Sequence, residues 1–278
     1  MAAGAEKKRI DEELKIAYAP PRSRSWTGEG TKMSAGDATI ECAPTVLKTA
    51  RVLDLVAAGQ RADPRVPLLI RGERGTGKDI LARLIHAASA RQPHSFMKVN
   101  CAAQPADRSE ADLFGHERGA SPLASRRRPG SFEFANHGTI YLDEIGALPR
   151  ALIPKLLHVL RTGEVSRTGG RELLPIDVRV IASTVQSADI GRHEYLWKEL
   201  QALNMVEVCV PPLRQRTEEI PAFASFFLEQ FNRRYRRDVQ LCADALTALI
   251  ARSWPVNIRE LEEAVHRFVV GGAPSPTH

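Results

Sequence analysis

Gly72-Glu73-Arg74-Gly75-Thr76-Gly77-Lys78-Asp79 decides the fold. The octet follows a short apolar run, Val66-Pro67-Leu68-Leu69-Ile70, and opens a stretch of helical period from Asp79 to Ser89. A buried strand, a glycine-rich turn and a helix in that order are the context that gives such a turn a mechanism. Glycines let consecutive amides point inward around phosphate oxygens, and the helix N-terminus adds positive dipole. Lys78 then reaches the β- and γ-phosphates. The competing interpretation, an incidental glycine turn, explains neither the spacing nor the flanking strand and helix. Asp79 stands where Ser or Thr normally ligates Mg2+, and a carboxylate can still hold that ion through water, since Mg2+ keeps much of its hydration.

Outward from this octet, short apolar runs at Phe96–Asn100, Thr139–Leu142, Val178–Ala182 and Met205–Val210 alternate with helical segments, notably Val46–Ala58 and Leu152–Arg161. Strands alternating with helices imply an α/β fold, a parallel sheet with helices on both faces. Past Pro211-Pro212 the strand pattern stops, and Glu218–Arg234, Ala243–Ser253 and Asn257–Val269 all have helical period. The expected organisation is a flexible N-terminal extension over 1–42, an α/β nucleotide-binding domain over 43–212, a small all-helical domain over 213–270 and a tail at 271–278. Within the extension, 5–18 has the pattern of a short charged helix that Pro20-Pro21 stop.

Thr139-Ile140-Tyr141-Leu142-Asp143-Glu144 is an apolar strand ending in two carboxylates. An Asp at a strand end beside a phosphate loop can anchor Mg2+, and the adjacent Glu can polarise an attacking water as general base. Alone, an Asp-Glu pair after a strand more often caps a helix. Together with the phosphate loop it points to nucleotide chemistry.

Composition excludes other classes. At 278 residues, 43% hydrophobic and 26% charged, the chain matches an ordinary soluble protein. No run approaches the roughly 18 apolar residues of a membrane span, and MAAGAEKKRIDEELK has charges where a secretion signal needs an apolar core. Cys42, Cys101, Cys209 and Cys242 form no close pair, so a zinc site or disulfide framework is not expected, and a reducing cytoplasm fits. The net charge of +6 is mild. Arg126–Arg128 and Arg233-Arg234-Tyr235-Arg236-Arg237 lack an aromatic stacking platform and are expected to be solvated surface, so no specific DNA binding is expected of this chain alone.

GERGTGKD, VNCAAQ, DLFGHERGA, RPGSFEFANHGTIYLDEIGALP, LLHVLRTGEVSRTGG, DVRVIAST, VPPLRQRTEEIP and WPVNIRELEEAV occur in this order. From about Ala43 to Val270 the chain resembles the AAA+ ATPase domain of bacterial sigma-54-dependent transcription activators. The resemblance implies a phosphate-loop parallel sheet followed by a helical lid, with ATP and Mg2+ as ligands. It implies that the phosphate loop, Gly72, Glu73, Arg74, Gly75, Thr76, Gly77, Lys78 and Asp79, binds nucleotide, that Asp143 anchors Mg2+ and that Glu144 is the catalytic glutamate. By the same resemblance Asn100 holds that glutamate until the nucleotide state changes, Thr184 is the sensor threonine, and Arg259 is the lid arginine that contacts the γ-phosphate. Members of the family work as ring hexamers with nucleotide between neighbouring subunits, so a homo- or hetero-oligomeric ring is implied.

The departures carry equal weight. Where the family has a GAFTGA loop that touches sigma-54, this chain reads Gly119-Ala120-Ser121-Pro122-Leu123-Ala124. The aromatic ring and threonine hydroxyl of that contact are gone, and a sigma-54 contact is not expected. Where the family's Ala-Thr-Asn sensor stands, this chain reads Ser183-Thr184-Val185. In Tyr195–Asn204, the segment that supplies arginine fingers in the family, the two arginine positions fall on Leu196 and Ala202, and Lys198 is the only cation. ATP binding with weak or partner-dependent hydrolysis is therefore expected. Two functions remain: a transcription-regulating ATPase acting through nucleotide-dependent protein contacts, or a non-hydrolysing subunit that binds ATP and modulates a competent paralogue or another partner.

Overall fold

The structure is a computed structural model that describes residues 50–271 apart from 62, 64, 103–105, 122–123 and 186–193. The expected extension before residue 43, with its charged helix, lies outside the described residues, as does the first turn of the helix expected from Val46. Among the described residues the chain runs α1 (Ala50–Arg61), β1 (Leu68–Arg71), α2 (Lys78–Ala87), β2 (Phe96–Asn100), α3 (Ala106–Phe114), β3 (Gly115–His116), β4 (Arg128–Pro129), α4 (Ser131–Phe134), β5 (Thr139–Asp143), α5 (Ile153–Thr162), β6 (Glu164–Ser166), β7 (Leu173–Pro175), β8 (Arg179–Thr184), α6 (Glu194–Ala202), β9 (Val206–Cys209), α7 (Ile220–Tyr235), α8 (Ala243–Ala251) and α9 (Asn257–Gly271). These residues divide into two compact units, one over Asp54–Pro211 and the other from Pro212 onward together with the start of α1 through Leu53.

The first unit is built on a parallel five-stranded sheet of order β2-β5-β8-β1-β9. Burial explains the strand sequences. Central β8 is buried at all six positions and β1 at Leu68, Leu69 and Ile70, which is why they read as unbroken apolar runs, whereas edge strands β2 and β9 are only partly covered. The principal core joins Leu69, Phe114, Phe132, Ile140, Leu142, Leu156, Leu157, Ala182, Leu196 and Trp197. Two short hairpins, β3 with β4 and β6 with β7, stand outside the sheet.

Strand order has one consequence for chemistry. The loop after β1 and the carboxylates at the end of β5 flank the C-terminal end of β8, with Arg71 in register with Thr184 and Leu142 with Ala182. Ligands of open parallel sheets bind outside such carboxyl ends, where the connections part.

Beneath the sheet, His86 of α2 is buried, with Nδ1 2.9 Å from Thr139 Oγ1. Burial, then the positive charge of Arg179, lowers its pKa to about 4. A histidine in the unfolded chain titrates near ~6.5, so between the two values the unfolded state binds the extra proton. The stability from neutral His86 is complete above the unfolded value and is lost as pH falls towards the folded one. Between pH 7 and 5 this group should cost about 1–2 kcal/mol. Urea titrations of wild type and His86→Leu test this. The variant should lose that increment of pH dependence, and an unchanged slope would overturn the assignment.

The second unit is helical. On α7, Ile220, Phe223, Ala224, Phe227 and Phe231 recur at helical spacing and form one apolar stripe. They pack with Leu213 and with Ile258, Leu261, Val265 and Val269 of α9 around fully buried Trp254. Trp254 donates its indole N–H to Leu249 O at 2.8 Å. Asn257, with φ 57°, accepts the Leu213 amide on Oδ1 at 2.7 Å, so its side chain closes the connection into the unit.

Candidate nucleotide site

The phosphate loop runs from β1 into α2 through two left-handed glycines, Gly75 at φ 74° and Gly77 at φ 88°. Gly72 is required for a different reason: a Cβ there would lie 2.9 Å from both Thr76 Oγ1 and Val210 O. Thr76 is buried and donates to Glu73 O at 2.9 Å, which ties the loop across its own turn. Arg74 is exposed at the tip. Lys78 is 7% exposed, and its ammonium donates to Gly72 O at 2.9 Å and Glu73 O at 3.1 Å. Burying an ammonium is costly unless acceptors surround it. This one is met by two carbonyl oxygens and by Glu144 Oε1 at 3.4 Å.

Opposite stand the carboxylates of β5. Asp143 Oδ1 accepts from Tyr141 Oη at 3.1 Å and from Ser183 Oγ at 2.9 Å. Its Oδ2 lies 3.3 Å from Lys98 Nζ, and the same ammonium lies 3.3 Å from Asp79 Oδ2 in the first turn of α2. Burial opposes the charge on Lys98, yet Asp79 and Asp143 outweigh it and raise the ammonium's pKa. Tyr141 is held neutral, its pKa raised by burial and by Asp143. Buried Cys101 donates its amide to Asp143 O at 2.9 Å. Burial, with the charges of Asp143 and Glu144, pushes its thiol up to about 12.

Glu144 has φ 56° and ψ 59°. A left-handed conformation in a non-glycine residue costs roughly 1–3 kcal/mol and is kept only where surroundings enforce it. Here the Glu144 amide donates to Ser183 Oγ at 3.2 Å, and Oε2 accepts from Val185 N at 3.3 Å. Asn100 is in register with Asp143, and its Oδ1 accepts from Ala102 N at 2.9 Å. Thr184 is buried at the end of β8, where its carbonyl accepts from Gly72 N at 3.2 Å.

The structure thus brings together Lys78, Asp79, Asn100, Asp143, Glu144 and Thr184 at the C-terminal edge of the sheet. Arg259 belongs to the helical unit, exposed in the first turn of α9. Sequence reading did not find Lys98, Tyr141 or Ser183 as partners of the carboxylates. The signal for Lys98 was available: it shares the face of β2 that carries Asn100, two residues on.

The loop expected to differ at its tip is braced at its base. Gly119 N donates to Ala124 O at 2.8 Å and Ala124 N to Ser121 O at 2.9 Å. Nearby, buried Arg167 joins Glu117, at 2.8 Å, to Glu133. Pro122 and Leu123 lie outside the described residues. Leu196 on α6 is 0% exposed within the core, while Lys198 and Ala202 are exposed. Arg126, Arg127 and Arg128 are exposed, with Glu117 3.8 Å from Arg127 and Asp112 3.5 Å from Arg128. Arg233 pairs with Glu229.

The oxygen donors suit a hard divalent cation, since Asp79 and Asp143 approach one point from separate segments. The narrow glycine turn with Lys78 at its base suits phosphate. No helix among the described residues is long and apolar enough to cross a membrane.

Comparison with known proteins agrees with this geometry. The Sigma-54 interaction domain matches residues 46–205, and the AAA+ ATPase lid domain matches residues 214–273. The chain is 44% identical to the regulatory protein AtoC of Escherichia coli K12 over 206 residues, 73% of this chain and 45% of that one. It is 39% identical to the Nif-specific regulatory protein of Rhodobacter capsulatus over 219 residues, 78% of this chain and 38% of the relative. The chain thus spans less than half the length of these curated relatives. Crystal structures of NtrX from Brucella abortus superpose with a TM-score of 0.70 in complex with ADP (32% identity, 83% of this chain, 52% of that one) and 0.70 in complex with ATP (29% identity, 99% and 58%). With both family models matching in order along the chain, the chain belongs to the sigma-54 interaction domain family of AAA+ transcription regulators.

Proposed function

We propose that this chain binds ATP with Mg2+ and regulates transcription through protein contacts that change with the bound nucleotide. The observation that carries the reading is the convergence of Lys78 with Asp143 and Glu144 across the end of β8. Gly72 to Gly77 would wrap the phosphates with backbone amides, and Lys78 would exchange its loop carbonyls for β- and γ-phosphate oxygens. Asp143, with Asp79, would hold Mg2+, which supplies charge neutralisation at the phosphates. Glu144 is suited to orient and deprotonate water, with Ser183 fixing its backbone. Asn100, at the end of β2, would hold Glu144 until the nucleotide state changes, Thr184 at the end of β8 would be the sensor threonine, and Arg259 would contact the γ-phosphate, as the family resemblance implies. Residues 43–212 would form the nucleotide-binding domain and 213–270 its lid. Assembly into a homo- or hetero-oligomeric ring belongs to the same proposal and is supported by the family resemblance.

Titration calorimetry with ATP and ADP in the presence of Mg2+ tests this. Saturable binding with a Kd well below ~1 mM is expected. No heat and no shift of thermal unfolding at millimolar nucleotide would overturn it.

A second reading concerns turnover. Leu196 is buried and Ala202 carries only a methyl group, so neither position of α6 can present a cation to a neighbour's phosphates. We propose that the chain binds ATP but hydrolyses it poorly unless a competent partner supplies the missing charge.

A further inference from the structure

We propose that Lys98 is an internal counter-cation of the site, neutralising Asp79 and Asp143 with one ammonium that a divalent cation must displace. The inference rests on reading the site as one for nucleotide and Mg2+.

Three observations carry it. Lys98 Nζ lies 3.3 Å from Asp79 Oδ2 and 3.3 Å from Asp143 Oδ2, so a single charge spans carboxylates from two segments, α2 and the end of β5. The strands fix this position: Lys98 is in register with Tyr141, and its ammonium lies 5.8 Å from the Tyr141 ring centroid, while Asn100 is in register with Asp143. All three groups are only partly buried, at 34%, 38% and 22% exposure, so the ammonium can swing to solvent without unfolding the strand.

The chemistry follows from Asp79. A hydroxyl at this place would leave Asp143 as the one carboxylate of the pair. An aspartate adds a second negative charge a few ångströms away, and like charges so close destabilise a fold unless a cation joins them. Lys98 supplies that cation from within the chain. A divalent ion and the ammonium compete for the same two oxygens, so Lys98 lowers the affinity for metal alone. ATP brings phosphate oxygens to which the displaced ammonium can move, so metal and nucleotide enter more readily together than metal alone. Lys98 is thus a positioning residue that ties metal entry to nucleotide entry.

The test uses Mn2+ as the probe on the full chain without nucleotide, with free Mn2+ read by electron paramagnetic resonance. Lys98→Met should bind Mn2+ at least threefold tighter than wild type, and Lys98→Arg should stay near wild type. In EDTA, Lys98→Met should melt lower than wild type and recover when Mn2+ is added. Replacing Asp79 supplies a second check: in an Asp79→Ser background, Lys98→Met should have a smaller effect on Mn2+ affinity. Equal or weaker Mn2+ binding by Lys98→Met, with calorimetry still showing nucleotide binding, overturns the counter-cation alone. Loss of nucleotide binding in wild type itself overturns the functional reading instead. Should Lys98→Met fail to fold in EDTA, refolding it in Mn2+ decides the matter: rescue supports the proposal, and no rescue overturns it.

Discussion

Lys78→Ala lowers ATP affinity at least tenfold, about 1.4 kcal/mol or more. The size follows from what the ammonium does. It is buried beneath the phosphate loop, holding Gly72 O and Glu73 O and facing Glu144. Removing it takes the ammonium from Gly72 O and leaves Glu73 O with the Thr76 hydroxyl alone, and it strips Glu144 of its cation, in the place where phosphate charge would gather. Loop and ligand therefore both lose. Lys78→Arg tests shape apart from charge: a planar guanidinium is broader than an ammonium and does not fit the same carbonyl cage, so it should also bind weakly. Calorimetry on purified variants, with circular dichroism to show an intact fold, gives the answer. Wild-type affinity in Lys78→Ala would remove the phosphate loop from the site.

The second expectation is kinetic. Steady-state turnover by the purified chain should lie far below ~1 s⁻¹, the lower end for competent enzymes. Where a stabilising arginine has been removed from phosphoryl transfer, the loss is roughly 10³–10⁵. At both positions where α6 would offer one, this chain has an aliphatic side chain, and that of Leu196 is sealed in the core. Glu144→Gln should abolish whatever residual activity remains while leaving ATP binding near wild type, if Glu144 has the proposed role of activating water rather than holding phosphate. Turnover near ~1 s⁻¹ would refute the expectation. The first residue to test would then be Lys198, exposed on the same helix.

Much of this was legible in the sequence, for physical reasons that differ between parts. The strands of the sheet were readable because burial on both faces forces continuous apolar runs, as in Leu68-Leu69-Ile70. The long helices announced themselves by period. Lys78, Asp143 and Glu144 stood out because a glycine-rich loop before a helix and a strand-end Asp-Glu pair are restricted in residue type and spacing at once, and the structure brings them to the same end of the sheet. The rest depends on distances between strands that no local pattern encodes. In sequence Ser183 is only the residue where the family's sensor has alanine, yet its hydroxyl joins Asp143 to the Glu144 amide. Lys98 is set apart in sequence only by sharing the β2 face of Asn100, and the register of β2 against β5 brings it to the carboxylates. The hairpins β3–β4 and β6–β7 escaped notice because strands of two or three residues are too short to show a period. Helix α3, ADRSEADLF, has only two large apolar residues, Leu113 and Phe114, both in its last turn, too few to show a period.

The last residues of β8 carry a mechanical implication. The Thr184 carbonyl is tied to the start of the phosphate loop, and the Ser183 hydroxyl to the Asp143 carboxylate at the end of β5 and to the amide of Glu144 just after it. Loop, Asp143 and Glu144 therefore ride on one strand end and share its degrees of freedom. A disturbance inside β8, such as a smaller side chain at fully buried Ile181, would carry all three together and leave their mutual distances nearly intact. Three hydrogen bonds thus couple the backbones of both ligand-facing segments to one strand end, so a shift of that end is expected to reach them as a unit.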